Sequence, residues 1–325
     1  MNKIRLLGIA GALCAALAGH STVSAQGWPA KPVRVVVPFG TGGGGTIQAR
    51  LITDSLRQTM GATFVIDNRP GAGGLIGAQM VAESPPDGYT LLFTTSTLAV
   101  NTTLFADTLK FDPRKDLAPV SLVSAGPLVL CVHPSVPVRS VKELIALAKK
   151  HPGRLASGVN EIGSTGHLAA EMLNQLGGVD TTIVPYKGGG PAMLGLMTGD
   201  VALLFVVAPV AMAQLQANRI RGLAVTTPKA SPAFPDLPPI NSFIPGLEVD
   251  VWYAIFFPKS TPSEIVNRMS AETRKVLQTE PAVQIFYQRE GMGAIGSAPE
   301  ALRAHLDREI VKYAKVIKQG NIKVQ

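Results

Sequence analysis

Arg34-Val-Val-Val-Pro-Phe-Gly-Thr-Gly-Gly-Gly-Gly-Thr46 is the stretch that decides the fold. Up to Pro38 it reads as a buried strand. Four consecutive glycines then form a nest, and helical spacing starts at Thr46, with Ile47, Leu51, Ile52 and Leu56 apolar. A glycine nest aims backbone N–H groups outward, and a helix N-terminus adds partial positive charge. The stretch therefore predicts an anion site on the end of a strand.

The same grammar repeats along the chain. Thr63 to Asp67 reads as a second strand, and Asn68-Arg-Pro-Gly-Ala-Gly-Gly74 as a second glycine turn before helical Leu75 to Glu83. Tyr89 to Phe93 is a third strand, ending in the hydroxyl row Thr94-Thr-Ser-Thr97. Strands alternating with helices predict a parallel sheet covered on both faces, with ligands at the carboxyl ends of the strands. Arg69 is the only charged residue in those three turns. Such turns suit recognition of a carboxylate by amides and hydroxyls, and suit proton transfer poorly.

A second α/β unit follows from near Ser124. It has strands at Leu128–Val132, Leu155–Val159, Thr182–Pro185, Val201–Val207 and Arg221–Thr226, with turns at Gly163-Ser-Thr-Gly-His167 and Tyr186-Lys-Gly-Gly-Gly-Pro191. Ser140-Val-Lys-Glu143 has capping-box spacing. The proline-rich stretch Pro228 to Pro245 reads as irregular. Val249 to Phe257 reads as a strand returning to the first unit, before helices over Ser263–Thr279 and Pro299–Lys318. The expected division is residues 26–124 with 249–325 as lobe 1, and 125–248 as lobe 2.

Residues 1–25 read as an export signal: basic Lys3 and Arg5, an apolar run from Leu6 to Ala18, and small residues before cleavage after Ala25. The expected location is the periplasm. Without Lys3 and Arg5 the 30 basic residues become 28 against 22 acids, and the formal charge falls from +8 to +6. That excess is scattered, and no aromatic-interleaved basic stretch appears, so nucleic acid is not expected as a partner. Cys131 then stands alone in an apolar run and reads as a core residue. His133, His151, His167 and His305 lack ligand spacing, so no metal is expected.

Phrases along the whole mature chain resemble one family. They include Trp28-Pro-Ala-Lys-Pro32, Val35-Val-Val-Pro-Phe39, Asn68-Arg-Pro-Gly-Ala-Gly-Gly74 and Pro86-Asp-Gly-Tyr-Thr-Leu-Leu92. Later come Ser140 to Lys149, His167-Leu-Ala-Ala-Glu171, Val184-Pro-Tyr-Lys-Gly188, Leu223-Ala-Val-Thr226 and Ser231 to Asp236. This pattern is similar to the periplasmic solute-binding proteins of tripartite tricarboxylate transporters, the Bug family. The resemblance implies a type II periplasmic-binding fold whose two lobes close over a small organic carboxylate. It implies no cofactor and no catalysis. It implies delivery to membrane transporter subunits or a sensor domain, and we expect a monomer.

From lobe 1 the expected ligand contacts are Phe39, Gly40, Thr41, Gly42, Gly43, Gly44, Ala72, Gly73, Gly74, Ser96 and Thr97. From lobe 2 they are Ser164, Thr165, Gly166 and Val206. Tyr186 and Lys187 stay open between anion contact and strand-end surface. Thr46 and Val206 stand where the family usually carries acids, which predicts a ligand with a less polar remainder toward Val206.

Two rival readings use the same residues. Gly40-Thr-Gly42-Gly-Gly-Gly45 matches G-x-G-x-x-G, with Asp67 at the end of the next strand, as in a dinucleotide-dependent oxidoreductase. Ser164 and His167 could pair as in a hydrolase, although neighbours three apart on a helix seldom do. The simpler role for Ser164 and His167 is to start, cap and pack a helix.

Overall fold

In β1 (Val33–Val37), Val33, Val35, Val36 and Val37 are all buried, as in a strand covered on both faces. The computed structural model describes residues 27–319 and 322; the expected export signal, residues 1–25, lies outside them. β1 pairs in parallel with β2 (Phe64–Asn68) and β3 (Thr90–Thr95). α1 (Gly44–Met60) and α2 (Leu75–Ala82) make the crossovers. α1 buries Ala49, Ile52 and Leu56, and ends where Gly61 turns left-handed at φ 62°. α3 (Thr97–Leu104) and α4 (Pro113–Asp116) lead into β4 (Leu117–Val132).

The second unit alternates α5 (Val141–Lys150), β5 (Leu155–Val159), α6 (Thr165–Gly177), β6 (Thr181–Pro185), α7 (Gly189–Thr198), β7 (Leu203–Val207), α8 (Ala208–Gln216) and β8 (Arg221–Val225). In the expected capping box, Ser140 Oγ accepts from Glu143 N at 3.2 Å, and Glu143 Oε2 reaches back to Arg139 N at 2.6 Å. β9 (Asp250–Pro258) returns, followed by α9 (Ser263–Thr279), α10 (Pro281–Arg289), β10 (Gly293–Ala294) and α11 (Pro299–Gln319). The strand order is β2-β1-β3-β9-β4-β7-β5-β6, with β8 and β10 also paired to β4.

The sheet turns on β4, which is longer than its sequence suggests. It runs 16 residues, where the apolar pattern predicts only Leu128–Val132. Its first part pairs antiparallel with β9 from Leu117 to Pro127. Its last five residues pair with β7, and four of them also pair with β8 on the other side. Pro119, Ser121, Ser124 and Gly126 hide the first part, and its pairing slips register twice. Pro127, which has no N–H, stands where the partner changes.

Thr226 clasps this changeover. Its Oγ1 accepts from Leu128 N at 2.9 Å and lies 2.6 Å from Val249 O, so it holds both segments that cross between the two units. Thr226→Val keeps the shape and removes the hydroxyl, leaving buried backbone groups unpaired. We expect it to destabilise the protein by about 1–3 kcal/mol, read by urea unfolding. A change below about 0.3 kcal/mol would argue that Thr226 holds nothing.

Other departures are local. α3 and α8 follow their strands without a turn, so the apolar and hydroxyl runs masked their starts. α10 begins at Pro281, a residue that often opens a helix. Cys131 is fully buried, as expected, and burial pushes its thiol far above the usual range. Among the described residues, no helix is long and apolar enough to cross a membrane.

Candidate functional site

A cavity of about 400 Å³ lies among the carboxyl ends of β1, β2, β3, β5, β6 and β7. Five helices begin at its wall. α1 starts after Gly43, α3 at Thr97, α6 at Ser164–Thr165, α7 after Gly188 and α8 after Val207. None carries an acid in its first turn, and Gly43, Gly188 and Val207 offer no side-chain cap. Helix dipoles and the N–H groups that no side chain caps therefore converge on one volume, an arrangement that favours negative charge.

The remaining wall is apolar. Phe39, Val206, Val207, Val210, Val251 and Tyr253 line it, the last two from the returning strand β9. Burial pushes the Tyr253 hydroxyl far above its usual range, so it stays neutral. Tyr186 and Lys187 also line the cavity. Tyr186 lies against Gly195 of α7, where an added Cβ would run into its hydroxyl oxygen. Among the described residues, the one carboxyl in the lining belongs to Glu161, beside Asn160 at the end of β5.

Among the expected contacts, Phe39, Gly40, Gly43, Gly44, Thr97, Ser164, Thr165 and Val206 line the cavity. Thr41 and Gly42 do not; they form the exposed tip of the first loop, where Gly42 takes φ 82°. Ala72, Gly73 and Gly74 do not either. Ala72 is exposed, while Asn101 Nδ2 donates to Gly73 O at 2.6 Å and Asn101 Oδ1 lies against Gly163. The second glycine turn is thus tied to the loop before α6, and Pro70 and Gly71 reach the cavity in its place.

Ser96 and Gly166 sit behind the wall. Ser96 N donates to Trp252 O at 3.0 Å, and a Cβ on Gly166 would stand 2.9 Å from Phe205 O. Gly166 therefore serves close packing of α6 on β7. Thr46 also faces inward, accepting from Asn68 Nδ2 at 2.8 Å and donating to Gly40 O at 3.3 Å. It braces the glycine loop and leaves the cavity wall to Gly45.

The residues of the rival readings are engaged elsewhere. Asp67 lies outside the cavity lining, paired with Arg34 and with Arg69 at 2.9 Å. Burial raises its carboxyl, but the hydrogen bonds from Arg34 and Arg69 outweigh this and hold it below the usual range. Ser164 Oγ accepts from His167 N at 3.1 Å, while the imidazole Nδ1 accepts from Gly163 N at 3.3 Å. The hydroxyl caps α6 and the ring faces a backbone amide, which is the capping and packing role.

This geometry can be set beside known proteins. The model of the tripartite tricarboxylate transporter family receptor matches residues 48–322. The chain belongs to that receptor family. Protein BugT of Bordetella pertussis is 33% identical over 328 residues, covering 100% of both chains. Among solved structures, R. palustris Rpa4515 with adipate aligns at TM-score 0.87 and 37% identity, over 91% of this chain and 99% of that one. MatC from Rhodopseudomonas palustris with bound malate aligns at TM-score 0.85 and 30% identity, over 89% and 100%. The receptor family and its periplasmic-binding fold are those implied by the sequence phrases.

Proposed function

We propose that this protein captures a small organic carboxylate in a cleft between two lobes and delivers it to membrane transporter subunits or a sensor domain. The observation that carries this reading is the convergence of five acid-free helix N-termini on one cavity. Backbone N–H groups there hold a carboxylate without a resident cation. The adipate and malate of the two palustris structures support the same ligand class. The apolar wall through Val206, Val207, Val210 and Val251 suits a ligand with a hydrocarbon portion.

On this reading the protein works in the periplasm, as a monomer, and performs no chemistry on its ligand. The lobes comprise residues 26–124 with 249–325, and 125–248, hinged where β4 and the Thr226–Asp250 segment cross. Closure over the ligand is a hinge motion.

A thermal-shift panel of mono-, di- and tricarboxylates tests the ligand class. A ligand at about 100 times its Kd stabilises the folded state by about 2.7 kcal/mol. We expect a saturable rise in Tm with at least one dicarboxylate. A panel with no shift, or equal shifts from uncharged diols of the same length, would overturn the reading.

A further inference from the structure

Glu161 is out of keeping with a cavity built for anions. Its carboxyl lines the same volume as the helix N-termini. No hydrogen-bond or ion-pair partner meets it among the described residues, and burial pushes it up to about 7. Beside it, Asn160 Oδ1 is buried and also without a partner among the described residues. The other titratable groups of the wall are Lys187 and Tyr186 on the β6–α7 turn and Tyr253 on β9. On α6, His167 Nε2 lies 3.5 Å from Glu171. The loops after β1, β2 and β3 present only Phe39, glycines, Pro70, Thr95 and Thr97 to the cavity.

An ionised Glu161 would repel any anion seated at the helix N-termini. A neutral Glu161 carries an O–H donor that needs an acceptor. We propose that Glu161 enters the liganded cleft as a neutral carboxylic acid and donates its proton to the second carboxylate of a dicarboxylate, so that capture takes up one proton. This inference deepens the proposed carboxylate capture and rests on it. The N-termini of α1 and α3 hold the first carboxylate, the valine wall covers the chain between, and the Glu161 O–H, in the turn that opens α6, meets the far end. The shared proton removes one unit of like-charge repulsion.

The sign of the pH dependence follows. Below about pH 7 the free protein already holds the proton, and affinity is flat. Above that pH the proton is drawn from solution, and Kd rises by up to tenfold per pH unit, a linkage effect. The ligand's own carboxyls titrate near 4–5, below the range tested.

Adipate and hexanoate, of equal chain length, serve as probes for calorimetry from pH 6 to 9 with the full mature chain. We expect adipate to bind more weakly as pH rises, with about one proton taken up at pH 8, measured in two buffers of different ionisation enthalpy. Hexanoate lacks the far carboxylate and should show no such slope. Glu161→Gln keeps a donor but cannot ionise, and should bind adipate with a pH-independent affinity. Its ligand-free Tm, compared with wild type, confirms folding. A pH-flat wild-type Kd for adipate, an equal slope for hexanoate, or an unchanged slope in E161Q would overturn the inference while leaving carboxylate capture standing. Binding of neither probe at any pH would overturn the inference, while the carboxylate panel decides capture itself.

Discussion

Gly44→Ala is expected to weaken carboxylate capture about 100-fold, equivalent to about 2.7 kcal/mol. A Cβ on Gly44 would lie 2.6 Å from the Tyr253 hydroxyl oxygen and 3.3 Å from Val207 Cγ2. Both neighbours are buried wall residues with little room to retreat. The added methyl would therefore press on Tyr253 and Val207 and reshape the cavity wall beside the first N–H groups of α1. Gly43→Ala makes the comparison informative. Its Cβ would meet only Gly40 O at 3.7 Å, an ordinary contact, on a backbone at φ −81° that alanine accepts. Titrating both variants with one dicarboxylate separates the two positions. Equal losses would show that the glycines act through loop flexibility, and not through the space they leave.

Trp252→Ala should destabilise the fold by about 3–5 kcal/mol, as large-to-small changes of buried aromatics do. Trp252 sits fully buried in β9, between β3 and β4. Its indole N–H donates to Glu309 Oε2 at 3.2 Å, its ring packs edge-on against His305 at 5.3 Å, and its carbonyl accepts from Ser96 N. Truncation leaves a large cavity and strips Glu309 of one partner. For a chain of this size the loss corresponds to a Tm lower by about 10 °C. Val311→Ala on α11, 69% exposed, should change stability by less than about 0.5 kcal/mol. Calorimetry of the two variants tests the contrast, and similar Tm values would refute it. Val251 and Tyr253, on either side of Trp252, line the cavity, so the substitution should weaken ligand binding as well.

The first half of the fold was legible because its strands, glycine turns and helices follow one another without interruption. β1, α1 and β2 need nothing but local pattern. The cavity was legible wherever a strand ended in glycines or hydroxyls, which gave Gly43, Gly44, Thr97, Ser164 and Thr165. Two kinds of residue escaped, and a third was over-read. Val251 and Tyr253 reach the cavity only because β9 returns between β3 and β4, a long-range pairing that no local pattern encodes. Glu161 stands in a turn where a lone carboxyl reads as solvated, and only its burial marks it out. Ala72 to Gly74 have the composition of an anion nest, but Asn101, 28 residues on from Gly73, claims that turn for packing. Thr46 is similar: its place in the family pattern points to the ligand, while its hydroxyl points into the loop.

β4 has a practical consequence for anyone recombining these receptors. Exchanging ligand preference between relatives invites chimeras that swap one lobe for another. A junction at residue 124 or 125 would cut β4 in the middle, stranding Ala125, Gly126 and Pro127, which pair with β9, on the fragment that pairs with β7 and β8. Each fragment would inherit half a strand and an open sheet edge, a template for aggregation. Residues 117–132 therefore have to travel as one block, together with Thr226 and Val249 that clasp them. Transplanting individual wall positions such as Glu161 or Val206 leaves that block whole.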